Sequence, residues 1–148
     1  MTLFLTHAHV DQIHHEARGA YPQECCGVIV GRDTANRRVV DHLLPLPNVA
    51  PPDQRNRRFE IDPLSLMKIE RALDGTGLSV IGFYHSHPDH PAVPSETDLR
   101  EAWPVYSYLI QSVKNDECET LLSWTLDESS VKFDAQHVVF HDQPADPD

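Results

Sequence analysis

The sequence predicts one α/β domain, a mixed β-sheet flanked by helices. Three observations carry this expectation. Apolar residues recur at helical spacing twice, near residues 7–18 and 62–74. Short β-branched apolar runs fall between and after them, at 25–30, 37–44, 78–84, 106–113 and 119–126. The length of 148 residues suits a single domain that can bury its own core.

Each element has a local reason. Thr2–Leu5 reads as a first strand. Val10, Ile13, His14 and Ala17 then mark one face of a helix, and Gly19 is a plausible stop. Cys25–Val30 and Arg37–Leu44 read as two strands, with residues 31–36 as their hairpin. Pro45–Arg58 holds four prolines and reads as a loop with no core of its own. Asp62-Pro63 is a helix start, a capping residue followed by proline at the first helical position, and that helix ends at Gly75. Leu78–Tyr84 is an apolar central strand, followed by a His- and Pro-rich loop to Pro94. Ser95 opens a short helix that Pro104 limits. Tyr106–Val113, Glu119–Leu126 and Ser130–Phe133 read as three antiparallel strands. The domain is expected over 1–140, with 141–148 an acidic disordered tail.

Composition narrows the function. The formal net charge is −11, and the densest basic cluster is only Arg55, Arg57 and Arg58. No nucleic acid and no anionic membrane are therefore expected as partners. The cluster reads as a solvated loop end, with docking to an acidic face of a protein substrate as a second reading. Three cysteines, Cys25, Cys26 and Cys118, with no CxxC, suit a reducing compartment. No signal peptide or membrane-spanning run is legible. A cytoplasmic location follows as the expectation. A homodimer would use an exposed sheet edge or the apolar face of the first helix.

The chemistry concentrates in Phe83-Tyr84-His85-Ser86-His87-Pro88 and Ser95-Glu96-Thr97-Asp98. Two histidines separated by one residue at a strand end point to the same side. Their Cα atoms would lie roughly 6.5–7 Å apart, close enough for both rings to meet one zinc. Asp98 can supply a third ligand. Three protein ligands leave the fourth position open, which marks a catalytic zinc, one per chain, rather than a structural one. Glu24 is a candidate base, because a carboxylate directly before a buried strand is costly without a purpose. Spacing alone does not select it.

This pattern resembles the JAMM (MPN+) metalloprotease family. His85-x-His87-Pro88, six residues, Ser95, two residues and Asp98 match its motif, and Pro22-x-Glu24-x-Cys26-Gly27-x-x-x-Gly31 is similar to its glutamate strand. The resemblance implies a JAMM/MPN-like, cytidine-deaminase-like architecture. It implies that His85, His87 and Asp98 bind zinc. It also implies that Glu24 shuttles the proton and that Ser95 donates a hydrogen bond to the oxyanion. The implied activity is amide or isopeptide hydrolysis beside the Gly-Gly end of a ubiquitin-like protein. The chain looks most similar to prokaryotic members that process sulfur carriers, including carriers that serve cysteine synthesis.

Other readings compete. Ser95-x-x-Asp98 is also a helix capping box, and both roles can coexist. His85-x-His87-x-Asp89-His90 also spells a metallo-β-lactamase-like motif, but little chain follows to supply further ligands. A metal-free MPN scaffold that only binds partners is the alternative of a different class. His7, His9, His14 and His15 read as an exposed helix face.

Overall fold

The computed structural model describes residues 1–127, 129 and 131–142. Its elements are β1 (Thr2–Thr6), α1 (His7–Ala20), β2 (Cys26–Thr34), β3 (Arg37–Leu46), α2 (Pro63–Leu73), β4 (Ser79–Pro88), α3 (Glu96–Glu101), β5 (Ser107–Lys114), β6 (Glu117–Leu126), β7 (Phe133–Gln136) and β8 (Val138–His141). The strands form one sheet in the order β7-β6-β5-β4-β2-β3-β1-β8. β4 is central, paired antiparallel with β2 and parallel with β5.

The helix starts are chemically determined. Thr6 accepts from the His9 N–H at 3.1 Å, while His9 Nδ1 takes the Thr6 N–H at 3.0 Å, a reciprocal cap on α1. The helix runs one residue past Gly19. Pro63 occupies the first position of α2, as the sequence implies, but the Asp62 side chain does not cap the backbone and accepts instead from the Ser65 hydroxyl at 3.1 Å. α1 packs one sheet face through Ile13 and Val10 against Leu3, Leu5, Ile29, Leu43, Tyr84 and Leu109. On the opposite face Leu66, Ile69 and Leu73 of α2 cover a core of Val28, Val30, Phe83 and Tyr108. The apolar face of α1 is thus spent on the sheet and is not left for a dimer.

Three expectations need correction. β4 does not stop at Tyr84. It continues through His85, Ser86, His87 and Pro88 because β5 offers partners as far as Val113. The third late strand is Phe133–Gln136 rather than 130–133. His141, expected in the tail, belongs to β8, a short edge strand stabilised by parallel pairing with β1. The rest of the expected tail, 143–148, lies outside the described residues. No helix among the described residues is long and apolar enough to cross a membrane.

A bulge sets which side chains face which side. Ile29 pairs with Gly82 and Val30 with Val80, so Ile81 is an extra residue on β4. Ile81 packs with the α1-side core, whereas Phe83 packs with the α2-side core. Beyond the bulge strict alternation resumes. Phe83, His85 and His87 then share the face that carries Val28 and Cys26 of β2.

Gly27 allows this register. A Cβ there would stand 2.5 Å from ring carbons of Tyr84 and would also strike the Leu44 carbonyl. Tyr84 cannot retreat, because it is fully buried and its hydroxyl donates to Glu16 at 2.6 Å. Gly27→Ala should cost about 1–3 kcal/mol through overpacking. Thermal unfolding should show Tm lowered by roughly 5–10 °C.

Candidate metal centre

The bulged strand delivers His85 and His87 to one face, where both are buried. α3 delivers the third group. Ser95 caps α3: its Oγ accepts from the Asp98 N–H at 3.0 Å, and its own N–H donates to Asp98 Oδ2 at 2.9 Å. The same Oδ2 lies 3.3 Å from His85 Nε2 and 3.1 Å from His87 Nε2. The capping box and the inward-turned carboxylate are therefore one arrangement, not alternatives. The two Nε2 atoms are 3.1 Å apart.

This triangle fits a zinc ion. Ligand atoms roughly 2.0–2.1 Å from a tetrahedral zinc stand about 3.3–3.4 Å from one another. The donor set also needs a cation. His87 Nδ1 lies 2.8 Å from the Pro91 carbonyl, which can only accept, so Nδ1 carries a proton and donates. His87 Nε2 is then a lone pair facing a carboxylate oxygen unless a proton or metal sits between them. Burial works against charge on His87, but the Asp98 carboxylate and the Pro91 carbonyl outweigh it and raise its pKa. Burial lowers that of His85. Burial also opposes the Asp98 charge, yet His85 and His87 hold its carboxyl well below the usual carboxylate range. His85, His87 and Asp98 are the one group among the described residues whose donor atoms converge closely enough to hold a metal.

Glu24 lies next to this group. Cys26 pairs with His85, and the Cys25 carbonyl accepts from the Ser86 N–H at 3.1 Å. Extending that register sets Glu24 alongside His87 on the same face. Its side chain is buried, and Oε1 has no hydrogen-bond partner. Burial pushes its carboxyl up to about 8; His87 opposes the rise and Asp98 adds to it. An unpartnered buried carboxyl beside a cation site is the arrangement a proton carrier needs.

Phe59 is the contributor that pattern reading missed. Its ring stacks on His85 with centroids 4.4 Å apart. With Tyr108, Ile110 and Phe133 it walls a small cavity that also touches His85 and Asp98. The signal was faint, a single aromatic residue at the end of a polar loop. The neighbouring basic cluster ties the loop to itself and to α3. Arg58 donates to Glu60 and Glu101 at 2.7 Å each, and Arg55 to the Ala50 carbonyl at 2.7 Å. Asp89 turns away and accepts from the Tyr21 hydroxyl at 2.8 Å, so the metallo-β-lactamase-like ligand set does not assemble. His9 caps α1, and His7 pairs with Asp142 at 2.6 Å.

The Glu24 shift has a signed consequence for the metal-free protein. Unfolded, this carboxyl titrates near its ordinary value of about 4.3. Folded, it keeps its proton until about 8. Between these limits the folded state binds the proton more tightly, so stability falls as pH rises, and it is level above. Glu24→Gln removes that loss. In melts with chelator, the variant's advantage in Tm should grow from pH 5 to pH 8.5. An equal difference at both pH values would show that Glu24 does not hold the proton.

Comparison with known proteins places the chain in a family. Residues 6–127 match the family described as prokaryotic homologs of the JAB domain. A desampylase of Haloferax volcanii is 42% identical over 113 residues, 76% of this chain and 77% of that protein. A probable TtuB-protein conjugate cleaving protease of Thermus thermophilus is 47% identical over 72 residues, 48% of this chain and 47% of that protein. The solution structure of a Desulfitobacterium hafniense protein superposes with a TM-score of 0.81 at 28% identity, covering 97% of this chain and 94% of its own. With the motif, the site and these matches in agreement, the chain belongs to the prokaryotic JAB (JAMM) domain family.

Proposed function

We propose that this chain is a peptidase with one zinc ion, held by His85, His87 and Asp98. Its reaction is hydrolysis of the amide at the C-terminal Gly-Gly end of a ubiquitin-like sulfur-carrier protein. The other side of that amide is a protein amine or an amino acid such as cysteine. The observation that carries the reading is the triangle of Nε2, Nε2 and Oδ2 atoms, with both histidines buried and the unpartnered Oε1 of Glu24 beside it. The names of the two relatives, one a desampylase and one a conjugate-cleaving protease, support a protein-conjugate substrate. Three free thiols fit a reducing cytoplasm.

Zinc, when bound, supplies Lewis acidity to the amide carbonyl and to water. The protein supplies the rest. Glu24 takes one proton from the attacking water as the new C–O bond forms. It gives that proton to the amine as the C–N bond breaks, so the carboxylate is regenerated. The Ser95 hydroxyl uses only its oxygen lone pair in capping α3, which leaves its O–H for the developing oxyanion. Pro91 and the capping box hold the ligands in place, as outer partners of metal-binding groups do.

The test is metal analysis beside turnover on tag-free protein. Wild type should carry about one zinc per chain, and His87→Ala much less, since only two protein ligands would remain. Glu24→Gln should keep its zinc and lose on the order of 10²–10⁴ in kcat on a Gly-Gly-ending carrier amide. Absence of stoichiometric metal after zinc is supplied would leave a partner-binding module as the better account, and unchanged turnover by Glu24→Gln would overturn Glu24 as the base.

A further inference from the structure

The mechanism above uses the Glu24 carboxyl, yet nothing there explains what aims it. Oε1 has no hydrogen-bond partner, so its direction depends on where the backbone places the residue. Glu24 also precedes β2, which begins at Cys26. Its own N–H and C=O must find partners elsewhere. Both find them in the loop that joins β3 to α2. The Glu24 N–H donates to the Arg55 carbonyl at 2.7 Å, and the Glu24 carbonyl accepts from Asn48 Nδ2 at 3.2 Å.

Asn48 holds that loop together. Nδ2 donates a second bond to the Arg58 carbonyl at 3.1 Å. Oδ1 accepts from the N–H groups of Ala50 and Glu60, each at 3.1 Å. A carboxamide has two donors and two acceptor lone pairs, and all four are used here. Every partner is a main-chain group, so the bonds fix backbone paths. The Val49 N–H closes the loop on the Glu60 carbonyl at 2.9 Å, and Ala50 is fully buried inside it. Between Arg58 and Glu60, both tied to Asn48, sits Phe59, whose ring stacks on His85. One amide thus joins the backbone of the base to the wall beside a metal ligand.

We propose that Asn48 is a positioning residue for the hydrolytic reaction, fixing the main chain of Glu24, and with it the carboxylate's approach to the reacting water, through the loop 48–60. The proposal rests on the reading of Glu24 as the base. All four Asn48 bonds go to main-chain groups, so it acts through Glu24 and Phe59.

Two variants and two kinds of readout test this. Asn48→Ala removes all four bonds. Asn48→Asp keeps the two accepted bonds and loses the two donated ones, so Ala50 and Glu60 stay tied to residue 48 while its bonds to the Glu24 and Arg58 carbonyls are cut. Both should retain zinc, and both should lose about 10- to 100-fold in kcat with KM little changed, as for a misplaced reacting group. In the Glu24→Gln background, Asn48→Ala should cost less than roughly threefold further, because the group it positions is gone. The second readout needs no activity. In metal-free protein, amide exchange at Glu24 should quicken at least roughly tenfold in Asn48→Asp, with β4 and β5 amides unchanged. Ala50 and Glu60 amides should stay protected. Turnover near wild type, an equal loss in the Glu24→Gln background, or unchanged exchange at Glu24 would each overturn the proposal. A wild-type protein that binds no zinc and cleaves no carrier amide would instead overturn the functional reading. Exchange would then still decide whether Asn48 holds Glu24.

Discussion

Three electron-rich atoms meet within 3.1–3.3 Å: Nε2 of His85, Nε2 of His87 and Oδ2 of Asp98. That closeness is repulsive unless a cation lies among them, and much of the fold can be understood as holding it. β4 carries two of the atoms and is locked on both edges by β2 and β5. The third arrives on α3, whose first turn is closed by the same carboxylate oxygen that faces the histidines. The Pro91 carbonyl fixes one ring by its far nitrogen. Each restraint is an ordinary hydrogen bond worth about 1 kcal/mol net. Together they permit an arrangement that the bare side chains would avoid.

The sheet adds the Glu24 carboxyl, the proposed base, by register. Ser86 faces the other way from its two neighbours, so it is free to bond the strand carrying Glu24. Its Oγ accepts from the Cys25 N–H at 2.8 Å, and its N–H donates to the Cys25 carbonyl at 3.1 Å. The residue between the two histidines therefore ties their strand to the segment that carries Glu24. The bulge at Ile81 makes this register possible. It shifts the alternation so that apolar residues fill both cores upstream while the histidines emerge on the α2 side.

The loop 48–60 shows why composition can mislead. The four prolines and basic end of Pro45–Arg58 predict a loop with no core of its own. In the fold it contains a short 3-10 turn at Pro52–Gln54, a buried alanine and the bonds that hold Glu24. A loop with no apolar face can still be ordered when one side chain satisfies several main-chain groups. Arg58 then joins it to α3 through Glu101, closing the wall beside the metal centre.

What the sequence determined by itself was local. The 85/87 spacing put two imidazoles on one side of an extended chain, and Ser95-x-x-Asp98 specified a capped turn. Asp62-Pro63 started α2, and helical periodicity named Val10, Ile13, His14 and Ala17 as one face of α1, of which Ile13 and Ala17 are buried. These follow from repeats of two and 3.6 residues and from short-range hydrogen bonding. The family motif added Glu24 as the base, which spacing could not select. Tertiary structure decided what depends on distant partners. It extended β4 past Tyr84, drew Val138–His141 onto the sheet edge, brought Glu24 beside a histidine more than sixty positions away and laid Phe59 on His85. Such contacts depend on strand register and loop closure, which no local pattern encodes, because the groups that satisfy one another meet only after the sheet has formed.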